Sequence, residues 1–242
     1  MEYILICILI FVVATLYSSV GHGGASGYLA LLGLFGISLI EMRSTALILN
    51  VFVSAIAFYS YYRNGHFRWN LFYPFALLSV PLAYLGSFIK LDPTLYKQIL
   101  GFCLILAVMR ILGVFGKENK SNKKLPLIPA ILIGAGLGFL SGIIGIGGGI
   151  ILTPLILVFS WGNLKETAAV SALFILVNSI SGLIGLTQQG FSLNFEMIIW
   201  LVVAIIGGFL GSFWGSKKAS NVALKNVLAG VLLLASIKLI LI

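Results

Sequence analysis

Two short stretches hold the residue types best suited to gripping a charged ligand, GHGGASG at Gly21–Gly27 and GIGGGIILTP at Gly145–Pro154. Glycine is a poor helix former and proline a worse one. Where a helix breaks and restarts, its first N–H groups have no intrahelical partner and together carry roughly half a positive charge. Glycine also lets a ligand approach the backbone closely. The chemistry on offer is anion binding by main-chain amides at Gly21, Gly23, Gly24, Gly145, Gly147, Gly148 and Gly149. The alternative for every glycine is close helix packing. His22 supplies an imidazole that either donates to an anion and titrates near neutral pH, or stays neutral against a carbonyl. Ser26 and Thr153 add hydroxyls beside the two clusters. Asn50 and Asn178 bring amide donors in later apolar segments, where they either line a cavity or tie helices together.

These residues lie in a chain that belongs in a bilayer. Of 242 residues, 60% are hydrophobic and 9% charged, against about 25% charged in a soluble domain. No charge occurs from Leu125 to Leu164, around the second glycine cluster. The apolar runs are helix-length and do not alternate as β-barrel strands would. The fold class is an all-α integral membrane protein. The N-terminus lacks a basic region before its apolar core, so it reads as a first membrane element rather than a cleaved signal. Cys7 and Cys103 fall in apolar stretches and read as buried thiols.

The chain is written twice. GHGGASG matches GIGGGII, LGSF recurs at Leu85–Phe88 and Leu210–Phe213, and YKQILGFCLILAVMRIL aligns with LKNVLAGVLLLASIKLI, with a spacing of 124 to 128 residues. The halves are residues 1–115 and 127–242, joined by the polar linker 116–126. Each half holds a glycine-broken run (Tyr3–Ile40; Leu127–Leu164) and three spans. These lie near Ser44–Tyr62, Trp69–Ile89 and Leu95–Phe115, and near Thr167–Thr187, Phe195–Ser216 and Val222–Ile242. The returning pieces of the broken runs begin near Tyr28 and Ile151, and Pro154 reads as a first-turn proline. Gly136, Gly138, Gly207, Gly208 and Gly211 read as packing residues, and Glu41 and Glu166 as helix-start residues.

Charge arbitrates between one crossing and a hairpin for each broken run. With one crossing, basic residues divide six against seven between the two sides. With each run folded back, they divide ten against three, the larger group being Arg63, Arg68, Lys117, Lys120, Lys123, Lys124, Lys165, Lys217, Lys218 and Lys225. The second division fits the positive-inside rule. It puts the linker in the cytoplasm and both termini outside. It also makes the halves inverted repeats, each a re-entrant glycine-broken helical hairpin plus three transmembrane helices. Broken helices at matching positions of inverted repeats point to a substrate site near the midplane.

The motif GIGGGIILTPLIL, its weaker echo GHGGASGYLALL and the four-plus-four apolar segments resemble the TauE/SafE family of sulfite exporters over nearly the whole chain. The first motif departs from the second, with His22 and Ser26 where the other half has Ile146 and Ile150. The resemblance implies a permease for sulfite, organosulfonates or related sulfur anions in the cell (inner) membrane.

The remaining features narrow the function class. All six acidic residues lie at ends or in loops, so no carboxylate relay crosses a span. Protons are a candidate coupling ion, carried by His22 or by the substrate itself. Arg110 and Lys238 occupy matching positions near span ends, where snorkelling accounts for both. Without an H-E-x-x-H, an Asp pair or a nucleotide loop, an enzyme is not expected. No cofactor and no metal are implied, and the basic loops read as topology signals rather than nucleic-acid contacts. The expected partners are the lipid bilayer and a small anionic substrate. The leading reading is a secondary transporter; a passive anion channel or a non-transporting membrane scaffold are the alternatives.

Overall fold

The computed structural model describes residues 2–89, 123–189 and 194–220, with single residues of 92–109 and 222–233. The third span of the first half, the last span, Cys103, Arg110, Lys238 and most of the linker lie largely outside the described residues. The chain is helical throughout its described spans. In order these are α1 (Glu2–Ser19), α2 (Ala25–Leu34), α3 (Leu39–Arg63), α4 (Trp69–Ser87), α5 (Leu127–Ile144), α6 (Gly149–Val158), α7 (Leu164–Thr187) and α8 (Phe195–Phe213). A π-helical turn, Trp214–Lys218, continues α8. Among the described residues, five helices are long and apolar enough to cross a membrane.

Local chemistry sets the helix starts. Ser38 caps α3, its Oγ accepting from Glu41 N–H and donating to the Glu41 carboxylate. Asn163 and Glu166 form a reciprocal capping box at α7 (2.9 and 3.0 Å), and Asn194 caps α8 through Met197 N–H. Such caps satisfy amides that have no partner in the first turn. Glu41 and Glu166 are therefore the helix-start residues that the sequence implies. α2 and α6 begin differently. Their N-caps, Gly24 (φ 98°) and Gly148 (φ 73°), are left-handed and offer no side chain. The returning helices thus start at Ala25 and Gly149, two or three residues earlier than expected. Pro154 is accordingly the sixth residue of α6, past its first turn.

Small residues join the long helices. A Cβ on Gly134, Gly138 or Gly142 of α5 would strike the backbone of Phe75, Ser79 or Ala83 of α4. The same spacing of four recurs between α8 and α1, where Gly207, Gly211 and Gly215 meet Phe11, Thr15 and Ser19. Residues four apart share a helix face, and the absent side chains let the backbones touch. Gly138, Gly207, Gly208 and Gly211 are packing residues as anticipated; Gly136 has no atom of the described residues within 4 Å of its Cβ position. Gly138→Ala should therefore lower stability by roughly 1–3 kcal/mol, the cost of overpacking against an immovable backbone. Gly136→Ala should leave it unchanged or raise it, since alanine is the better helix former. Thermal unfolding of the two detergent-solubilised variants, followed by tryptophan fluorescence, makes the comparison; equal melting points would remove the packing argument.

The same contacts fix helix direction. α1 runs parallel to α8, and α8 parallel to α3, through Gly208 against Val53 and Ser212 against Ser60 (3.0 Å). α5 runs parallel to α4, and α4 parallel to α7, through Val80 with Ser181 and Tyr84 with Gly185. α3 and α7 run antiparallel, Asn50 meeting Ser179 and Leu47 meeting Gly182.

Both glycine-broken runs double back. Lys123 N–H donates to Ser160 C=O at 2.9 Å, so the residues flanking α5 and α6 meet. A straight helix over Leu127–Val158 would part its ends by about 48 Å at 1.5 Å per residue. In the first run, Tyr61 Oη donates to Ser19 C=O at 2.6 Å, so α1 ends beside the end of α3. α2 then starts at the middle of α3, where Asn50 lies, and finishes next to its beginning. Basic loops gather at one end of the bundle. Arg68 pairs with Glu166 at 3.3 Å, and Lys165 Nζ donates to Ser216 C=O at 3.3 Å.

Candidate functional site

The two breaks meet at the centre of the bundle, and Asn50 joins them. Its Oδ1 accepts from Ala25 N–H, the first amide of α2, at 3.0 Å. Its Nδ2 donates to Ile146 C=O in the second break and to Ser179 Oγ of α7, both at 3.3 Å. Asn50 is fully buried, so each of these bonds replaces one to water that is not available. Gly23 and Gly147 make room for the amide. A Cβ at Gly23 would overlap Asn50 Oδ1; one at Gly147 would sit 3.0 Å from Asn50 Nδ2 and 2.9 Å from Ser179 Oγ.

A second buried chain links the hairpins directly. His22 Nε2 lies 2.7 Å from Thr153 Oγ1, and Thr153 Oγ1 lies 2.8 Å from Ser171 Oγ. His22 comes from the first break, Thr153 from α6 and Ser171 from α7. His22 Nδ1 is buried with no hydrogen-bond partner among the described residues, as is Ser141 Oγ. Ser26 Oγ pairs with Tyr17 Oη at 2.9 Å, tying α2 back to α1.

The glycines divide by role. Gly24 and Gly148 are the left-handed N-caps already described. Gly145 (φ 83°) ends α5, and a Cβ there would lie 3.4 Å from Arg43 Cβ and Cγ. Gly21 faces the Ala168 backbone, and Gly149 faces Ile175 and Ser171 C=O of α7. Both breaks thus rest on one stripe of α7, Ser171–Ile175–Ser179, at helical spacing of four. Asn178 is the exception among the expected site residues. It is buried, but its Nδ2 turns back to Phe174 C=O of its own helix at 2.8 Å.

Ser171, Ser179 and Arg43 join this centre without having been singled out in the sequence. The two serines had a signal: hydroxyls eight residues apart on one face of an apolar helix. Arg43 was counted among loop charges, yet it is 4% exposed on α3. Its guanidinium donates to Gly142 C=O (2.8 Å) near the end of α5 and to Ser87 C=O (3.3 Å) at the end of α4. Carbonyls at helix C-termini lack intrahelical donors and carry partial negative charge, so a cation is well placed there. It also sets a permanent positive charge two helical turns from Asn50, about 10 Å along α3.

The collected groups are amides, hydroxyls, an imidazole and a guanidinium. Among the described residues no carboxylate is buried. The set is rich in donors and free of fixed negative charge, which suits an anionic rather than a cationic ligand.

Comparison with known proteins agrees with this architecture. The family model for the sulfite exporter TauE/SafE matches residues 6–239. A probable membrane transporter protein of Sinorhizobium fredii is 35% identical over 99% of this chain and 98% of its own length. Another from Bacillus subtilis is 25% identical over 95% of this chain and 99% of its own. A third, from Methanocaldococcus jannaschii, is 28% identical over 63% of this chain and 60% of its own. No solved structure gives a significant match. A family match that runs almost from end to end, on a bundle of apolar helices, places this multi-pass membrane protein in the TauE/SafE sulfite exporter family.

Proposed function

We propose that the protein is a secondary transporter of a small anion, bound where the two broken helices meet. The observation that carries this reading is Asn50, whose amide holds the first N–H of α2 and a carbonyl of the second break at once. A group that bridges two hairpins is placed to exchange those bonds for bonds to a ligand. The names of the relatives favour transport, and the family name favours sulfite; an organosulfonate is a chemically related candidate for the same donor-rich site. The protein acts without chemical conversion of its cargo.

The opposed helix directions support a fold of two inverted repeats, 1–115 and 127–242. In that fold α1, α3 and α4 of the first half correspond to α5, α7 and α8 of the second. α1 and α3 run one way while α5 and α7 run the other, and α4 and α8 are likewise opposed. The hairpins then enter from opposite faces of the cell membrane, and their α2 and α6 N-termini aim at one midplane pocket. The basic end of the bundle is cytoplasmic by the positive-inside rule, with the linker on that side and both termini outside.

Flux into liposomes tests the assignment. Purified protein should take up sulfite, thiosulfate or a sulfonate with saturation and counterflow, and a proton gradient should change the rate if protons are the coupling ion. Uptake confined to cations would overturn the anion reading. Non-saturating flux without counterflow would make the protein a channel, and no flux of any solute would make it a scaffold.

A further inference from the structure

A second site lies at the basic end of the bundle, apart from the central breaks. It is a groove of 650 Å³ between α3 and α8, lined by Ala55, Ile56, Tyr59, Arg63, Phe209 and Lys217 together with Ser60, Asn64, Phe213 and Ser216. That volume is within the range of about 300–1,000 Å³ typical of small-molecule sites. The chemistry of the walls is graded along the helix axis. At one end stand Arg63 and Lys217, both exposed. One to two turns along, the walls become Tyr59, Ile56 and Ala55 on α3 and Phe213 and Phe209 on α8. Tyr59 is 58% exposed and Phe209 60%, so the apolar stretch opens sideways.

Three observations say what fits. The first is charge. Lys217 and Lys218 lie 4.6 and 5.8 Å from the Phe213 ring centre, and Arg63 lies 5.8 Å from that of Tyr59, where it also donates to Tyr59 Oη. Lys165 adds a fourth cation against Ser216. Glu166, next to Lys165 in sequence, is engaged by Arg68. The second is depth. Trp214, Tyr62 and Trp69 are exposed at this same end, and exposed Trp and Tyr mark the headgroup level of a bilayer. The third is direction. The apolar part of the groove runs from that level toward the bilayer centre, the path of an acyl chain.

We propose that this groove is a binding site for an anionic phospholipid. Its phosphate lies between Arg63 and Lys217, and an acyl chain lies along Tyr59, Ile56, Phe213 and Phe209. Basic pockets between transmembrane helices hold acidic headgroups by the same combination of charge and apolar wall. The lipid would bridge α3, which carries Asn50, to α8, which packs on α1.

Native mass spectrometry of the full chain released from mixed micelles tests this, with dioleoyl phosphatidylglycerol and dioleoyl phosphatidylcholine as the probes. The wild type should retain phosphatidylglycerol over phosphatidylcholine by roughly thirtyfold, the scale set by two basic side chains at a lipid surface. The Arg63→Gln/Lys217→Gln pair should lose that preference, and the Arg63→Lys/Lys217→Arg pair should keep it. Equal retention of both lipids by the wild type would overturn the proposal, as would an undiminished preference in the Gln pair. Displacement of the lipid by millimolar inorganic phosphate would assign the basic end to a soluble phosphate instead. A dimer that dissociates in the Gln pair with lipid retention unchanged would assign the groove to a second copy of the chain. Should the Gln pair not fold, the wild-type lipid comparison and the phosphate competition still decide.

Discussion

Asn50→Ala should abolish most transport and cost the protein roughly 2–4 kcal/mol of stability. The estimate follows from what the truncation strands. Ala25 N–H and Ile146 C=O lose their partner in a fully buried place, and a buried group left unmade costs about 1–3 kcal/mol. Ser179 Oγ loses a donor as well. A loss of about 2 kcal/mol in the competent geometry alone corresponds to roughly a thirtyfold fall in rate. Asn50→Asp tests the sign of the ligand's charge. The aspartate keeps an oxygen for Ala25 N–H but gives up the donor to Ile146 and adds a negative charge at depth. It should melt no higher than the alanine variant, because an unpaired charge faces a carbonyl in a buried place, and transport anions no better. Wild-type flux in Asn50→Asp would sink the claim that the ligand is negative and sits there. The measurements are liposome uptake and the melting temperature of the same preparations.

Gly147→Val should silence transport while leaving protein in the membrane. Gly147 holds φ +73°, a conformation that a β-branched residue resists. A Cβ there would also lie 2.8 Å from Ile175 Cγ2, 2.9 Å from Ser179 Oγ and 3.0 Å from Asn50 Nδ2. The side chain would thus push apart the groups that join the two breaks. Insertion depends on the apolar length of the spans, which the substitution leaves alone. Membrane-fraction abundance near wild type with no uptake is the expected pair of results. Normal uptake would show that the second break only packs.

The two variants act on one object from two sides. Asn50→Ala removes the bridge, and Gly147→Val removes the space it occupies. Neighbouring residues of this kind should be non-additive, so the double variant should be no worse in transport than either alone.

Much of this was legible in the sequence. Charge-free runs of helix length can only be satisfied in a bilayer as helices. The glycine clusters therefore had to be interruptions, and the helices do break at Gly24 and Gly148. The ten-to-three division of basic residues favoured both broken runs doubling back, and the Lys123–Ser160 bond and the position of α2 agree with that. Glu41 and Glu166 marked the starts of α3 and α7, because a carboxylate is favoured in a first helical turn; their capping partners Ser38 and Asn163 came only with the structure. Asn50 stood out as an amide in an apolar span. Asn178, its counterpart in the second half, looked equivalent and is not. Repeated sequence fixes the position of a residue along a helix, but not whether its side chain finds a partner across the bundle.

The sequence by itself determined the class of protein, the places where helices must break and the side of the bundle on which charge collects. Each of these follows from the local cost of putting polar or helix-breaking groups in hydrocarbon. Only the tertiary structure decided that Asn50 serves both breaks, that His22 reaches Thr153 and Ser171, and that Arg43 leaves the loops to cap α4 and α5. It also decided that Gly138 packs against α4 while no described residue lies within 4 Å of a Cβ on Gly136. Those pairings span up to 131 residues of chain. They depend on helix rotation and crossing, which are settled by the joint packing of all the helices rather than by any one segment.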